Sequence, residues 1–201
     1  MPYEAILFDF DGVIVDSEPV HWACWRRVLE PLEVDLGWEF YHQHFIGVSD
    51  RAMADILAGM SRRAITAADI YAVYPEKTRI FREEMQRTLP FSPGVPELVA
   101  ELRRQHRLAV VTSSRRSEVE PVLQAGGLLP LLDVTVYADD VPRHKPDPMP
   151  YSHAASLLGI ETALVVEDSA AGEASGRAAG FAVLRVATPG EVASRVREHL
   201  G

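Results

Sequence analysis

The chain has 201 residues, of which 47% are hydrophobic and 24% charged, and its formal net charge is -9 at pH 7. This composition excludes disordered, collagen-like and solenoid classes, and the negative charge argues against nucleic acid or an anionic membrane as a partner. No stretch approaches the roughly 20 apolar residues of a membrane span, the start does not resemble a signal peptide, and the single cysteine cannot form an internal disulfide. We therefore expect a cytoplasmic protein, with a monomer as the default state.

The first predicted element is an apolar strand at residues 5–8 that ends in two acidic residues. Asp9 and Asp11 follow it, separated by one aromatic residue and followed directly by Gly12. Two carboxylates about 4 Å apart repel each other by about 4 kcal/mol, even at an effective dielectric near 20. A buried strand that ends in this way requires a compensating positive charge.

The next segment, residues 17–88, shows helical patterns and no convincing strand. These patterns lie at residues 21–32, 50–60 and 67–86. The segment separates the first strand from all the others, and the stretch after it, LPFSPGVPEL, contains three prolines and a glycine, as a linker does. We therefore predict an all-helical cap domain at residues 17–88, inserted into a core domain of residues 1–16 and 89–201.

After residue 88, predicted strands alternate with predicted helices. Short runs rich in Val, Ile and Leu predict buried parallel strands at residues 108–111, 134–137, 163–166 and 182–186. Helix-period patterns with a glycine near the end lie at residues 96–105, 118–125, 148–158 and 170–179. This alternation predicts an α/β fold with a doubly wound, mainly parallel, Rossmann-like sheet.

Polar residues collect where three of the predicted strands end. They are Asp9 and Asp11 after the first strand, Thr112, Ser113 and Ser114 after the second, and Glu167 and Asp168 after the strand at residues 163–166. In open parallel sheets, ligands bind in the crevice outside the carboxyl ends of the strands. Four carboxylates in one crevice predict a divalent cation, and Mg²⁺ prefers such hard oxygen ligands. The cation would supply the compensation that the first strand requires.

Four sequence motifs carry a resemblance to a known family. FDFDGVIVDSE, VVTSS, KPDP and EDSAAG, in this order and spacing, resemble the motifs of the haloacid dehalogenase-like superfamily, in its phosphatase and phosphomutase branch with a helical cap. The resemblance covers essentially the whole chain. It implies Mg²⁺-dependent hydrolysis of a small phosphomonoester through an aspartyl-phosphate, with a cap that opens and closes over the site. Dehalogenase members lack the second aspartate, so Asp11 argues against carbon–halogen cleavage.

The same resemblance implies a catalytic role for individual residues. Asp9 would be the nucleophile, and Asp11 the general acid for the leaving alcohol and then the base for water. The Thr112 hydroxyl, helped by the backbone N–H of Ser113, would bind the transferring phosphoryl group. Lys145 would neutralise both Asp9 and the phosphate.

The metal site is implied in the same way. Asp168 would hold Mg²⁺, with Glu167 binding it directly or through water. The Asp9 carboxylate and the Asp11 backbone carbonyl would complete the protein ligands. The substrate phosphate would take a further position, because Mg²⁺ sites are often completed by phosphate.

The helical segment resembles that of sugar-phosphate phosphatases and β-phosphoglucomutases. The resemblance rests on DSEPVH and FIGVSDRA, where the histidine and the GVS loop of those enzymes meet the substrate, and on a lysine that faces their site. The substrate-binding residues expected here are His21, Gly47, Val48, Ser49 and Lys77, with Ser114 in the core. One departure weakens a mutase assignment, because the mutase arginine directly after GVS is replaced by Asp50, with Arg51 following.

The predicted function is therefore a Mg²⁺-dependent phosphatase that acts on a small phosphate ester, with a sugar phosphate as the favoured substrate. A hexose-phosphate mutase, which returns the phosphoryl group to the sugar, is the first alternative, and a phosphoglycolate phosphatase is another. The third alternative is a non-catalytic binding module. The presence of all four residues of the expected catalytic set argues against it: Asp9, Asp11, Lys145 and Asp168.

Overall fold

The computed structural model describes residues 3–45 and 50–201, without the side chains of residues 50–52. The predicted substrate residues Gly47, Val48 and Ser49 lie outside the described residues. The chain divides into two compact units: Met1–Asp16 with Leu89–Gly201, here called the sheet unit, and Ser17–Thr88, here called the helical unit. Among the described residues, none of the helices has the length and apolar character that crossing a membrane requires.

One five-stranded sheet organises the sheet unit. Its strands are β1 (Ala5–Phe8), β2 (Arg107–Val111), β3 (Val134–Val136), β4 (Ala163–Glu167) and β5 (Ala182–Arg185). The order is β3-β2-β1-β4-β5 and all four pairings are parallel, with Leu7 of β1 opposite Ala109 of β2 and Val165 of β4. The chain winds outward from β1 in both directions, which confirms the predicted doubly wound parallel sheet.

Nine α-helices occur in the described part of the chain. They are α1 (Glu18–Leu29), α2 (Trp38–His44), α3 (Asp50–Met60), α4 (Ala67–Thr88), α5 (Val95–Leu102), α6 (Arg116–Ala125), α7 (Met149–Leu158), α8 (Ala170–Ala178) and α9 (Val192–Leu200). Four short 3-10 helices lie at Glu30–Leu32, Leu129–Leu131, Ala138–Asp140 and Pro189–Glu191. The first four α-helices belong to the helical unit and the other five to the sheet unit.

The apolar runs account for the position of the sheet. All four residues of β1 and all five of β4 are buried, as expected for central strands covered on both faces. Side chains from β1, β2 and β4 pack with Tyr151, Ala154 and Leu158 of α7 in one hydrophobic cluster. This packing fixes the carboxyl ends of β1, β2 and β4 beside one another.

Neither α2 nor α9 is predicted by the sequence patterns above. α2 has seven residues, which is too short to show a helical period, and only Tyr41 is buried. α9 has three charged residues among its nine and buries only Val192, Ala193 and Val196. In both cases tertiary packing of a few side chains, rather than a long apolar stripe, stabilises the helix.

The helical unit has its own hydrophobic core. It contains fully or almost fully buried side chains from all four helices, among them Trp25, Leu29, Tyr41, Leu57 and Ile70. The indole of Trp22 donates a hydrogen bond to the backbone oxygen of Leu36 at 2.9 Å. The described residues of this unit form no strand, in agreement with the predicted all-helical insertion.

Candidate active site

The loop after β1 places Asp9 and Asp11 at the carboxyl end of the central strand. The backbone N–H of Asp9 donates to the carbonyl of Val166 at 3.0 Å, so the pairing between β1 and β4 continues past the end of β1. Asp9 is buried, whereas Asp11 is partly exposed. Asp9 therefore lies beside the end of β4, which ends at Glu167 and is followed by Asp168.

Gly12 allows this loop to approach Asp168 closely. Its φ is +76°, a conformation that side-chain-bearing residues rarely adopt. A Cβ atom at position 12 would lie 2.1 Å from Oδ2 of Asp168, well inside van der Waals contact. The glycine that follows the two aspartates is thus required both by the turn and by the neighbouring acid.

Lys145 connects the carboxyl ends of β1, β2 and β4. Its ammonium donates to Oδ1 of Asp9 and Oε1 of Glu167, each at 2.6 Å, and to the backbone oxygen of Val111 at 2.9 Å. The lysine side chain is 5% exposed. Burial alone would lower the pKa of Lys145, but the charges of Asp9 and Glu167 outweigh it and raise the pKa. Lys145 is therefore a charged ammonium shared between two carboxylates.

Glu167 is wholly buried and its two carboxylate oxygens are both hydrogen-bonded. Oε1 accepts from Lys145 and from the Tyr151 hydroxyl at 2.9 Å. Oε2 accepts from the backbone N–H groups of Asp168 and Ser169 and from the Ser169 hydroxyl, at 3.0 to 3.1 Å. A Cβ atom at Gly172 of α8 would overlap this carboxylate, so α8 begins directly against it. These contacts make Glu167 a buried anchor for Lys145 and for the start of α8.

Three acidic residues are close enough to share a cation. One carboxylate oxygen each from Asp9, Glu167 and Asp168 lies within 4.8 Å of the others. Burial, together with the charge of Glu167, raises the pKa of Asp168 to about 6. Burial likewise raises the pKa of Asp9, although Lys145 opposes it.

The acidic residues at this end of the sheet outnumber the basic side chain that contacts them. Asp9, Asp11, Glu167 and Asp168 are four carboxylates, and Lys145 is the cation that contacts two of them. The donors are hard oxygens, which suit Mg²⁺ better than a softer metal. The residues present therefore fit a divalent, oxygen-binding cation at this end of the sheet.

Thr112, Ser113 and Ser114, the hydroxyl residues after β2, differ in exposure and in their hydrogen bonds. Thr112 is buried, and its Oγ1 accepts the backbone N–H of Ser114 at 2.9 Å, while Ser113 is exposed. The Ser114 hydroxyl donates to Oδ2 of Asp11 at 2.7 Å. Ser114, expected to bind substrate, is thus in contact with the predicted acid–base residue.

Two further predicted residues, His21 and Lys77, lie together in the helical unit. The Lys77 ammonium is 2.8 Å from Nδ1 of His21, and the imidazole stacks on Phe81 with ring centroids 3.9 Å apart. Lys77 is buried, with its ammonium 5.3 Å from the ring centroid of Trp25 and 5.9 Å from that of Tyr74. The contact of both residues with substrate stays a prediction.

The protonation of His21 follows from these contacts. Burial, assisted by the positive charge of Lys77, lowers the pKa of His21 to about 3. The imidazole is therefore neutral near pH 7, and its Nδ1 accepts a hydrogen bond from the ammonium.

Sequence reasoning missed two residues that organise the site. Tyr151 on α7 donates to Glu167, and its ring lies under the Lys145 ammonium, 4.9 Å from its centroid. Ser169 caps α8 by accepting the N–H of Gly172 and also donates to Glu167. Ser169 could have been found as a serine directly before a helix, which is a common N-cap position. Nothing in the sequence marks Tyr151, because its role depends on how α7 packs against β4.

The chain matches known proteins over most of its length. A model of the family described as haloacid dehalogenase-like hydrolase matches residues 6–186. A phosphorylated carbohydrates phosphatase of Thermotoga maritima is 32% identical over 190 residues, covering 89% of this chain and 82% of that protein. A phosphoglycolate phosphatase of Cupriavidus necator is 33% identical over 195 residues, covering 92% and 81%.

A solved structure agrees with these matches. A mutant of CbbY from Rhodobacter sphaeroides, in complex with xylulose-1,5-bisphosphate, is 28% identical to this chain with a TM-score of 0.68. The match covers 92% of this chain and 87% of that one. The similarity therefore includes the sheet unit and the helical unit alike.

Proposed function

Since the chain belongs to the haloacid dehalogenase-like hydrolases and is a phosphomonoester hydrolase, we propose that it hydrolyses a small sugar phosphate in a reaction that depends on Mg²⁺. The observation that carries the proposal is the buried contact of Lys145 with Asp9 and Glu167 beside Asp168. Hydrolysis of a phosphate monoester requires a positive charge and a fixed nucleophile next to the phosphoryl group. This end of the sheet has both.

In the first step, an oxygen of the Asp9 carboxylate attacks phosphorus. The bond between phosphorus and the ester oxygen breaks, and its electron pair goes to the leaving oxygen. Asp11 gives its proton to that oxygen, so that the sugar leaves as an alcohol. The Lys145 ammonium donates to Asp9 and favours the ionised carboxylate that the attack requires.

In the second step, water attacks the phosphorus of the aspartyl-phosphate. Asp11 accepts a proton from this water, because it lost its own in the first step. The bond between phosphorus and the Asp9 oxygen breaks, which releases inorganic phosphate and restores the carboxylate. The Thr112 hydroxyl and the Ser113 N–H hold the phosphoryl oxygens in both steps.

Asp9 and Asp168 would hold Mg²⁺ through carboxylate oxygens, and Asp11 through its backbone carbonyl. When bound, the ion would neutralise the phosphoryl oxygens as charge develops on them. Glu167 is assigned to Lys145 rather than to direct metal binding, because both of its oxygens already accept hydrogen bonds from protein groups.

Two of the similar proteins favour a sugar phosphate as the substrate. One is named for phosphorylated carbohydrates, and the other is a solved structure in complex with a sugar bisphosphate. The DSEPVH and FIGVSDRA segments favour the same class. Phosphoglycolate is the alternative that the Cupriavidus necator protein supports.

The test is phosphate release from a panel of hexose and pentose phosphates, phosphoglycolate and nucleoside monophosphates, with Mg²⁺ and with EDTA. We expect release from sugar phosphates, dependent on Mg²⁺. Asp9→Asn should lower kcat by about 10³-fold or more, since the nucleophile is lost. Asp16→Asn, the same change seven residues later, is the control and should keep most of the activity.

Each contrary result identifies an alternative. Undiminished turnover by Asp9→Asn overturns the mechanism. Conversion of β-glucose 1-phosphate with a bisphosphate primer into glucose 6-phosphate, without free phosphate, points to a mutase. Phosphate release from phosphoglycolate alone replaces the substrate class, and no turnover of any ester points to a binding module.

A further inference from the structure

Ser114 is fixed by its backbone on both sides. Its N–H donates to Oγ1 of Thr112 at 2.9 Å, and its carbonyl accepts the N–H of Ala138 at 3.0 Å. The residue therefore belongs to a rigid turn between the end of β2 and the segment after β3. Its hydroxyl is carried to a defined position, where it donates to Oδ2 of Asp11 at 2.7 Å.

We propose that Ser114 is a positioning residue that holds the carboxyl group of Asp11 in the orientation needed for proton transfer to the leaving group. The inference rests on the acid–base role proposed above for Asp11. It replaces the expectation that Ser114 binds substrate directly, because the hydroxyl is already directed at the acid.

The need for such a residue follows from the surroundings of Asp11. It follows the buried Asp9 by two residues and directly precedes Gly12, which packs against the Asp168 carboxylate. A carboxyl group that is partly exposed and near other carboxylates gains by rotating away from them into solvent. A hydroxyl donor on a fixed turn opposes that rotation and keeps the acid at the carboxyl end of β1.

Ser114 neither gains nor loses a proton in this step. As the ester bond breaks, the electron pair stays on the leaving oxygen, and the proton of the Asp11 carboxyl goes to that oxygen. The resulting carboxylate continues to accept the hydrogen bond from Ser114, because a hydroxyl can donate to either form of a carboxyl group. Ser114 thus acts through Asp11 and does not touch the reacting atoms.

The test compares two leaving groups. A sugar phosphate has an alkoxide leaving group that must be protonated, whereas 4-nitrophenyl phosphate releases a stable phenolate that needs no acid. Ser114→Ala should lower kcat/KM for the sugar phosphate about 10- to 100-fold. For 4-nitrophenyl phosphate, kcat/KM should change by no more than about threefold. Ser114→Thr, which keeps the hydroxyl, should restore most of the loss.

The controls separate this inference from the function on which it rests. Asp11→Asn should show the same dependence on the leaving group, only larger, and Ser156→Ala on the exposed face of α7 should behave as the parent protein. If Asp11→Asn affects both substrates equally, the acid role of Asp11 is wrong.

If Asp11→Asn discriminates between the substrates but Ser114→Ala lowers both equally or neither, Ser114 does not position the acid. Ser114→Cys, which has a similar size and a weaker donor, repeats the measurement if the alanine variant does not fold. It should give a loss for the sugar phosphate alone, and an equal loss for both esters would again overturn the inference.

Discussion

The two units each bury one of the two lysines of the chain, and they surround it in different ways. In the sheet unit, Lys145 lies 2.6 Å from the carboxylates of both Asp9 and Glu167. In the helical unit, Lys77 contacts the imidazole of His21, and its ammonium lies over the ring of Trp25. The contacts described for Lys145 are with opposite charges, whereas those described for Lys77 are with a neutral nitrogen and the faces of aromatic rings.

The difference shows what each environment can do. A buried ammonium between two carboxylates ties the ionisation of all three groups together, so a change in one alters the others. A ring face and a neutral imidazole attract an ammonium without supplying a compensating negative charge. The sheet unit thus holds a charge network suited to phosphoryl transfer, while in the helical unit the lysine adds to the effect of burial that keeps His21 neutral.

The largest effect is expected from removing the lysine of the sheet unit. Lys145→Met keeps the length of the side chain but leaves Asp9 and Glu167 buried without their common partner. We expect the free energy of unfolding to fall by about 3 to 5 kcal/mol in EDTA, and catalysis to be lost. Urea denaturation and phosphate release measure the two effects.

Arg143→Met is the matched control for Lys145→Met. Arg143 pairs with Asp147 at 3.3 Å, but its side chain is 63% exposed. An exposed ion pair contributes about 1 kcal/mol at most, so this variant should remain stable and active. Equal destabilisation by the two substitutions would contradict the charge network described for the sheet unit.

A smaller effect is expected from pH on metal binding by the sheet unit. Since the pKa of Asp168 is raised to about 6, its proton must leave before a cation can bind below that pH. The Mg²⁺ concentration for half-maximal phosphate release should rise about tenfold per pH unit below pH 6 and level off above pH 7. Asp168→Asn should abolish this dependence along with tight binding. The same Mg²⁺ requirement at pH 5 and pH 7 would argue against Asp168 as a ligand.

The smallest effect concerns His21 and sharpens the description of the helical unit. Lys77→Met should raise the pKa of His21 from about 3, because one of its two causes is removed. Burial is the larger cause, so the pKa should stay below the ordinary value of about 6.5. An NMR titration, with the His21 signal assigned by comparison with His21→Gln, measures it. An unchanged pKa would contradict the contact between the two side chains.

His21 also predicts how stability depends on pH. Below about pH 6.5 the unfolded chain protonates this histidine while the folded chain does not, so stability is lost as the pH falls. After a discount for partial exposure, the loss between pH 7 and pH 5 should be about 1 kcal/mol. His21→Gln should lack this part of the pH dependence. A variant with the parent's pH dependence would contradict a neutral, half-buried histidine in the folded chain.

The sequence predicts the sheet well because its strands are continuous apolar runs, such as the AILF of β1 and the ALVV within β4. It also predicts that acidic residues meet at one end of the sheet, since the carboxyl ends of parallel strands are neighbours. It does not predict α9, because the three buried residues of this helix are too few to form a long apolar stripe. Nor could it predict the direction of the Ser114 hydroxyl, which depends on a turn fixed by Thr112 and Ala138.

Gly12 offers a way to separate charge from placement at this site. The residue carries no charge and no side chain, yet its Cα is packed against the Asp168 carboxylate. Gly12→Ala would displace that carboxylate and strain the turn at position 12, while leaving every acidic and basic group of the chain in its sequence position. A methyl group at position 12 therefore changes the positions of the acidic groups without changing their number. The activity of this variant distinguishes an effect of the total charge of the cluster from an effect of the spacing of its oxygens.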